Sequence, residues 1–145
     1  MHLRYNCKHL KLAEGVWVKE PIIPIALSCK DGRKLDFTGI LDSGSDFILI
    51  PKEIADALEL NYLEGIEIKS KTFEGKEFTT KLSKINIEIK KGRERIPIQC
   101  KAAVSIDGPD YQHIIIGSSF FEHFEITFDY PNNKFSIKNK TIHSS

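Results

Sequence analysis

The stretch GILDSGSDFILIP, residues 39–51, runs through glycine and two aliphatic residues into Asp42. It continues Ser43-Gly44-Ser45-Asp46 and returns at once to Phe-Ile-Leu-Ile. A carboxylate enclosed by apolar chain is costly unless it is hydrogen-bonded, so a polar knot in this setting marks a site rather than scaffold. Two readings are open. Asp42 closes an Asx or serine turn between two strands, or the fold brings another group to meet it. Asp-Ser-Gly decides nothing alone, because it arises by accident in about one chain in twenty of this length. Its setting tells more: a second apolar run ending in glycine, HIIIG at 113–117, lies far downstream and is followed by the phenylalanine-rich SSFFEHF.

Other groups carry less chemistry. His113 and His123 have no Ser or Cys in an elbow-like context, and a histidine beside an apolar strand reads as structural. Lys90, Lys91, Arg93 and Arg95, with Glu94 among them, read as a solvated turn rather than a phosphate site. EGKEF at 74–78 lacks the glycine spacing of a phosphate loop. Cys7 and His9 have no second ligand pair, so no metal is expected. The three cysteines are widely spaced without Cys-x-x-Cys, which argues for reduced thiols rather than a disulfide framework. Trp17 and the phenylalanines carry no nucleic-acid signature and are expected to fill the core.

The elements that must position Asp42 read mostly as short strands. EPIIPIALSCKDGRKLDFTGIL predicts two strands around Asp31-Gly32. FILIP suits a buried strand, and Pro51 opens a helix over PKEIADALEL with Ile54, Ala57 and Leu58 on one face and Asn61 as its stop. From Gly65 the chain alternates as a long exposed hairpin, with Ile66, Ile68, Ile85, Ile87 and Ile89 on one face and FEGK as the turn. KKGRER makes another turn, IPIQCKAAVSI a strand, and DGPDYQ a loop. HIIIG is a buried strand. SSFFEHF is a short helix capped by Ser118 or Ser119, with Phe120, Phe121 and Phe124 toward the core. Two strands around Asn132-Asn133 close the chain.

The chain has 145 residues, 41% hydrophobic and 28% charged, with a formal charge of +1. That size suits one domain, and the composition is that of an ordinary globular protein. The balance of charge offers no case for nucleic acid or an anionic membrane. No stretch reaches the ~18 apolar residues of a membrane-spanning helix. The first fifteen residues lack the apolar core of a signal peptide, so the expected location is cytoplasmic.

ILDSGSDFILIP together with HIIIGSSFFEHFEITFDYPNNKFSI resembles the retropepsin-like aspartic proteases, the single-lobe relatives of pepsin. The likeness spans about residues 20–138 in element order. It implies a single-domain, mostly β, acid-protease-like closed barrel with a flap hairpin and one or two short helices. The domain would cover 16–140, with an N-terminal extension at 1–15 and a tail at 141–145. Asp42 would be the catalytic aspartate, Ser43 would grip the partner's matching loop, and Gly44 would let the loop pass close to substrate. Ser45 would donate to the outer oxygen of Asp42, and Asp46 would hold substrate amides. Phe73, Glu74, Gly75 and Lys76 would form the flap tip, with Phe73, Ile48 and Ile115 shaping pockets. Gly117 would end the strand crossing behind the catalytic loop. Two departures stand out: many viral members carry an arginine after that glycine where this chain has Ser118, and the flap has Gly75 as its single glycine.

Aspartic-protease chemistry needs two carboxylates on one water, and carboxylates that close share a proton. Asp31, Asp36 and Asp107 do not begin a second Asp-Ser/Thr-Gly. A second copy would supply the partner most simply, across a twofold axis. The expectation is therefore a homodimeric aspartic endopeptidase acting on peptide or protein, with no cofactor. The alternatives are a non-catalytic peptide-binding or dimerisation module on the same fold and, more weakly, a barrel for a small apolar ligand.

Overall fold

The computed structural model describes residues 2–72, 74–109 and 113–139, so Phe73 and the tail at 141–145 lie outside the described residues. Strand β1 (His2–Asn6) is followed by β2 (Lys8–Ala13), β3 (Val16–Glu20), β4 (Ile22–Ser28) and β5 (Lys34–Leu41). The predicted turn between β4 and β5 forms, with Gly32 at φ +91°, a left-handed backbone open to glycine without cost. The two strands pair from Ile22 opposite Ile40 to Ser28 opposite Lys34. Next come β6 (Ile48–Pro51), helix α1 (Lys52–Ala57), β7 (Glu67–Lys71), β8 (Glu77–Lys91) and β9 (Glu94–Ser105). The chain then forms β10 (Ile114–Ile116), α2 (Ser118–Phe121), β11 (Phe124–Asp129) and β12 (Lys134–Asn139).

Six strands in the order β4-β5-β10-β6-β9-β8 form a closed barrel, because β8 pairs back onto β4. Alternation explains its filling. Ile23, Ile25 and Leu27 of β4, Ile48 and Ile50 of β6, and Ile87 and Ile89 of β8 are all fully buried. Residues two apart share a face. Phe120 of α2 plugs one end, its ring 4.7 Å from that of Phe124. A separate sheet, β1-β12-β11, joins the two ends of the chain, and Tyr5 stacks on Phe135 at 5.2 Å. Strands β2 and β3 pair only with each other.

Several expectations need correction. The long hairpin is shorter than its alternation predicts. β7 pairs with Glu77–Lys81 alone, and the rest of β8 is a barrel strand. Helix α1 buries Ala55 and Leu58 while Ala57 is exposed, and it ends before Glu59, at φ +57°, rather than at Asn61. Gly117, not Ser118 or Ser119, occupies the cap position of α2, and no side chain caps it. Trp17 is 60% exposed and Phe128 47% exposed, so neither belongs to the core. Among the described residues no helix is long and apolar enough to cross a membrane.

Two outcomes follow from the packing. Phe120→Ala removes a wholly buried ring and is expected to lower unfolding free energy by about 3–5 kcal/mol, read from a urea titration. Burial also pushes the Cys100 thiol from 9.0 to about 12, and the Tyr5 phenol from 10.0 to about 12. Tyr5 further donates its hydroxyl proton to the Lys90 carbonyl at 2.9 Å. The unfolded chain loses these protons at lower pH than the folded chain does, so their contribution is complete below about pH 9 and is lost as pH rises toward 12. The thermal midpoint is expected to fall across that alkaline window, and less steeply in Tyr5→Phe.

Candidate active site

β10 inserts between β5 and β6, the two strands that flank the Asp42 loop. It runs parallel to β5, with Ile114 opposite Gly39 and Ile116 opposite Leu41, and antiparallel to β6, with Ile115 opposite Leu49. The insertion ties the loop down by its backbone. The Asp42 amide donates to the Ile116 carbonyl at 2.9 Å, the Ser118 amide to Ser45 O at 2.8 Å, and the Ser119 amide to Asp46 O at 3.0 Å. Gly117 stands at the crossing. A Cβ there would lie 2.3 Å from Phe47 O and 2.4 Å from Ser45 O. No side chain fits.

Within the loop, the Gly44 amide donates to Asp42 Oδ1 at 2.9 Å and the Ser45 amide to Asp42 O at 3.2 Å. The Asx turn is therefore present, and it presents the carboxylate rather than hiding it, because Asp42 is exposed. Asp42, Gly44, Ser45 and Asp46 line the floor of a cleft of about 740 Å³, with Leu49 and Ile115 beside them. Its roof is β7, from Ile68 through Lys71, with Phe78 of β8.

Ser43 is exposed at the loop tip and does not line this cleft. Ser45 Oγ donates to the Phe47 carbonyl at 3.0 Å rather than to the Asp42 carboxylate. Asp46 is exposed and has no ion-pair partner among the described residues. The Ser118 hydroxyl donates to Ser45 O at 3.0 Å. Glu74 and Gly75 are exposed at the hairpin turn, Gly75 at φ +86°. Glu74 lines a second depression with Lys76, Asp107 and Pro109, which shares Phe78 with the cleft. Ile48 is buried in the barrel, and its neighbour Leu49 faces the cleft instead. His113 Nδ1 is paired with Thr38 Oγ1 at 2.6 Å.

The strand topology decides the fold. No family model matches the chain, and no curated protein does. Among solved structures, the retroviral protease-like domain of Ddi1 from Leishmania major is 11% identical with a TM-score of 0.50, covering 88% of this chain and 99% of that one. A retropepsin-like aspartic protease from Rickettsia conorii is 22% identical with a TM-score of 0.46, covering 82% of this chain and 98% of that one. The chain has a retropepsin-like fold. In this retropepsin-like barrel, the element order anticipated from the paired motifs is present from β4 to α2.

Sequence reasoning weighed Asp107 only as a second catalytic aspartate and gave it no structural role. Its carboxylate accepts the Thr79 amide at 2.6 Å, while the Ile106 amide donates to Thr79 O at 2.9 Å. The end of β9 is thereby fastened to the hairpin root. Lys69 and Lys71, passed over in the sequence, line the cleft roof.

Gly117→Ala is expected to force the two backbones apart, costing about 1–3 kcal/mol by overpacking. Amide exchange should quicken at Asp42, Ser118 and Ser119, the donors of the three crossing bonds, and remain slow in β8.

Proposed function

We propose that the chain is an aspartic endopeptidase that works as a homodimer, two copies of Asp42 meeting across a twofold axis. The observation that carries this reading is the placement of Asp42: an exposed carboxylate on a backbone-fastened loop, at the floor of an open cleft with a β-hairpin above. The other aspartates considered for a second carboxylate are occupied. Asp31 pairs with Arg33, Asp36 with Lys90, and Asp107 accepts the Thr79 amide. A partner copy supplies the group most simply.

Two such carboxylates brought together hold one proton between them and titrate as a pair. The ionised Asp42 takes a proton from water as the water oxygen attacks the peptide carbonyl carbon. The protonated one gives its proton to the carbonyl oxygen, and a tetrahedral diol forms. Proton transfer to the amide nitrogen then accompanies C–N cleavage, releasing an acid and an amine and restoring the shared proton. Ser43 faces the partner's loop. Ser45, Asp46 and the hairpin residues Phe73, Glu74 and Gly75 hold the substrate. β7 is the last strand of its sheet, so an extended peptide can add along its free edge, with side chains directed toward Leu49, Ile68 and Ile115.

A non-catalytic peptide-binding or dimerisation module is the second reading. It is favoured by Ser118 at the arginine position and by the single glycine of the hairpin turn. A peptide-library digest between pH 3 and 7 separates the two. The wild type is expected to cut, and Asp42→Asn to lose about 10⁴-fold or more in rate while keeping fold and dimer. Cleavage that persists in Asp42→Asn ends the proposal; peptide binding without cleavage by the wild type favours the module.

A further inference from the structure

We infer that the β2–β3 hairpin is an arm that clasps a second copy of the chain, with Leu12, Val16 and Trp17 at its tip packing on that copy; this rests on the dimeric reading of the Asp42 site. Neither strand contains a buried residue. A two-stranded hairpin on its own is marginal in water. Yet this one holds a register from Lys8 opposite Glu20 to Ala13 opposite Val16, with a bulge near its tip. Leu12 is 68% exposed, Trp17 60% and Val16 48%. Lys11 Nζ lies 5.9 Å over the Trp17 ring, yet three large apolar side chains around one turn remain exposed, the mark of an interaction surface.

The roots of the arm identify the occupant. β3 runs into Pro21, whose carbonyl accepts the Leu41 amide at 3.0 Å. Leu41 directly precedes Asp42. The other leg leaves from Cys7, whose amide donates to Asn133 O at 2.7 Å. The arm thus springs from the body beside the catalytic loop, and strands of this length reach about 17–20 Å. An axis that brings two Asp42 side chains together must pass close to these roots, so the copy across it lies within the arm's reach. The chain's own C-terminal strand is a poor occupant. β12 ends at Asn139, next to the position where Lys138 pairs with His2, at the far end of β1 from the hairpin.

Trp17 is the chain's single tryptophan, so the unaltered protein reports on the arm. Sedimentation equilibrium of the full chain should give a dimer, and over the same concentration range Trp17 emission should shift to the blue and acrylamide quenching should fall. Leu12→Ser/Val16→Ser should raise the dissociation constant about 100-fold or more, leaving the far-UV spectrum unchanged and restoring Asp42-dependent cleavage at high protein concentration. A double variant that associates like the wild type, or a wild-type dimer in which Trp17 stays fully quenchable, overturns the arm and leaves the dimeric protease standing. A wild-type dimer whose Trp17 is protected but which cuts nothing supports the arm and overturns the protease reading. A wild type that stays monomeric at every concentration overturns both.

Discussion

The crossing of two backbones at Gly117 is the constraint on which the rest of the molecule depends. Asp42, Ser43 and Gly44 are exposed, so burial cannot hold the loop in place. Hydrogen bonds must, and they form only because β10 passes close beneath. The space for that passage is the space a Cβ would fill, 2.3 Å from one carbonyl and 2.4 Å from another. Glycine here is a steric requirement rather than a conformational one, since its φ is of the ordinary extended kind. The same closeness lets the Ser118 hydroxyl reach Ser45 O. A chemically exposed carboxylate is thus mechanically fixed, which is what positioned acid–base chemistry asks of a scaffold.

The roof of the cleft is tied to its floor through one long strand. β8 begins as half of the β7–β8 hairpin and ends inside the barrel, pairing with β9 on one side and with β4 on the other. Thr79 stands where β8 passes beyond the end of the regular ladder, leaving a backbone amide and carbonyl to be satisfied. Asp107 and Ile106 satisfy them. Gly108 follows in a space that a Cβ would share with Ser105 Oγ and the Phe78 ring. The segment after β9 is therefore packed on the hairpin root.

Much of this was legible because strands with one buried face write a period of two into the chain. The β4–β5 hairpin, the buried alternation of Ile85, Ile87 and Ile89, and the turn at Asn133, φ +59°, follow from local chemistry. What was not legible is nonlocal. That Asp107 satisfies Thr79 depends on a contact across 28 residues, and Ser118 donates to Ser45 across 73. Helix α1 is too short for periodicity to choose between Ala55 and Ala57. Residue type alone places Trp17 in the core, but alternation within a strand says which face a residue occupies and not whether anything covers that face. The N-terminal strands had signals of their own, Leu3, Tyr5 and Cys7 alternating and Gly15 at a turn, and these are the residues that pack or pivot there.

Ser118 is neutral, and its hydroxyl, which donates to Ser45 O at 3.0 Å, adds no charge to the cleft floor. Backbone bonds keep the loop fixed without an ion pair, so the neutral serine costs the scaffold little. Asp46, however, is left with its charge on the cleft floor beside Asp42, and the opposing charges lie on the roof, at Lys69 and Lys71. Lys69 donates to Thr79 Oγ1 along its own hairpin, which holds its ammonium near the strand. Were roof and floor to approach, unlike charges would be brought together, each close pair worth about 1 kcal/mol in water and more as water leaves. That attraction is screened by salt over about 10 Å at 0.1 M. Any chain lying between the two surfaces would exclude water and so strengthen the attraction.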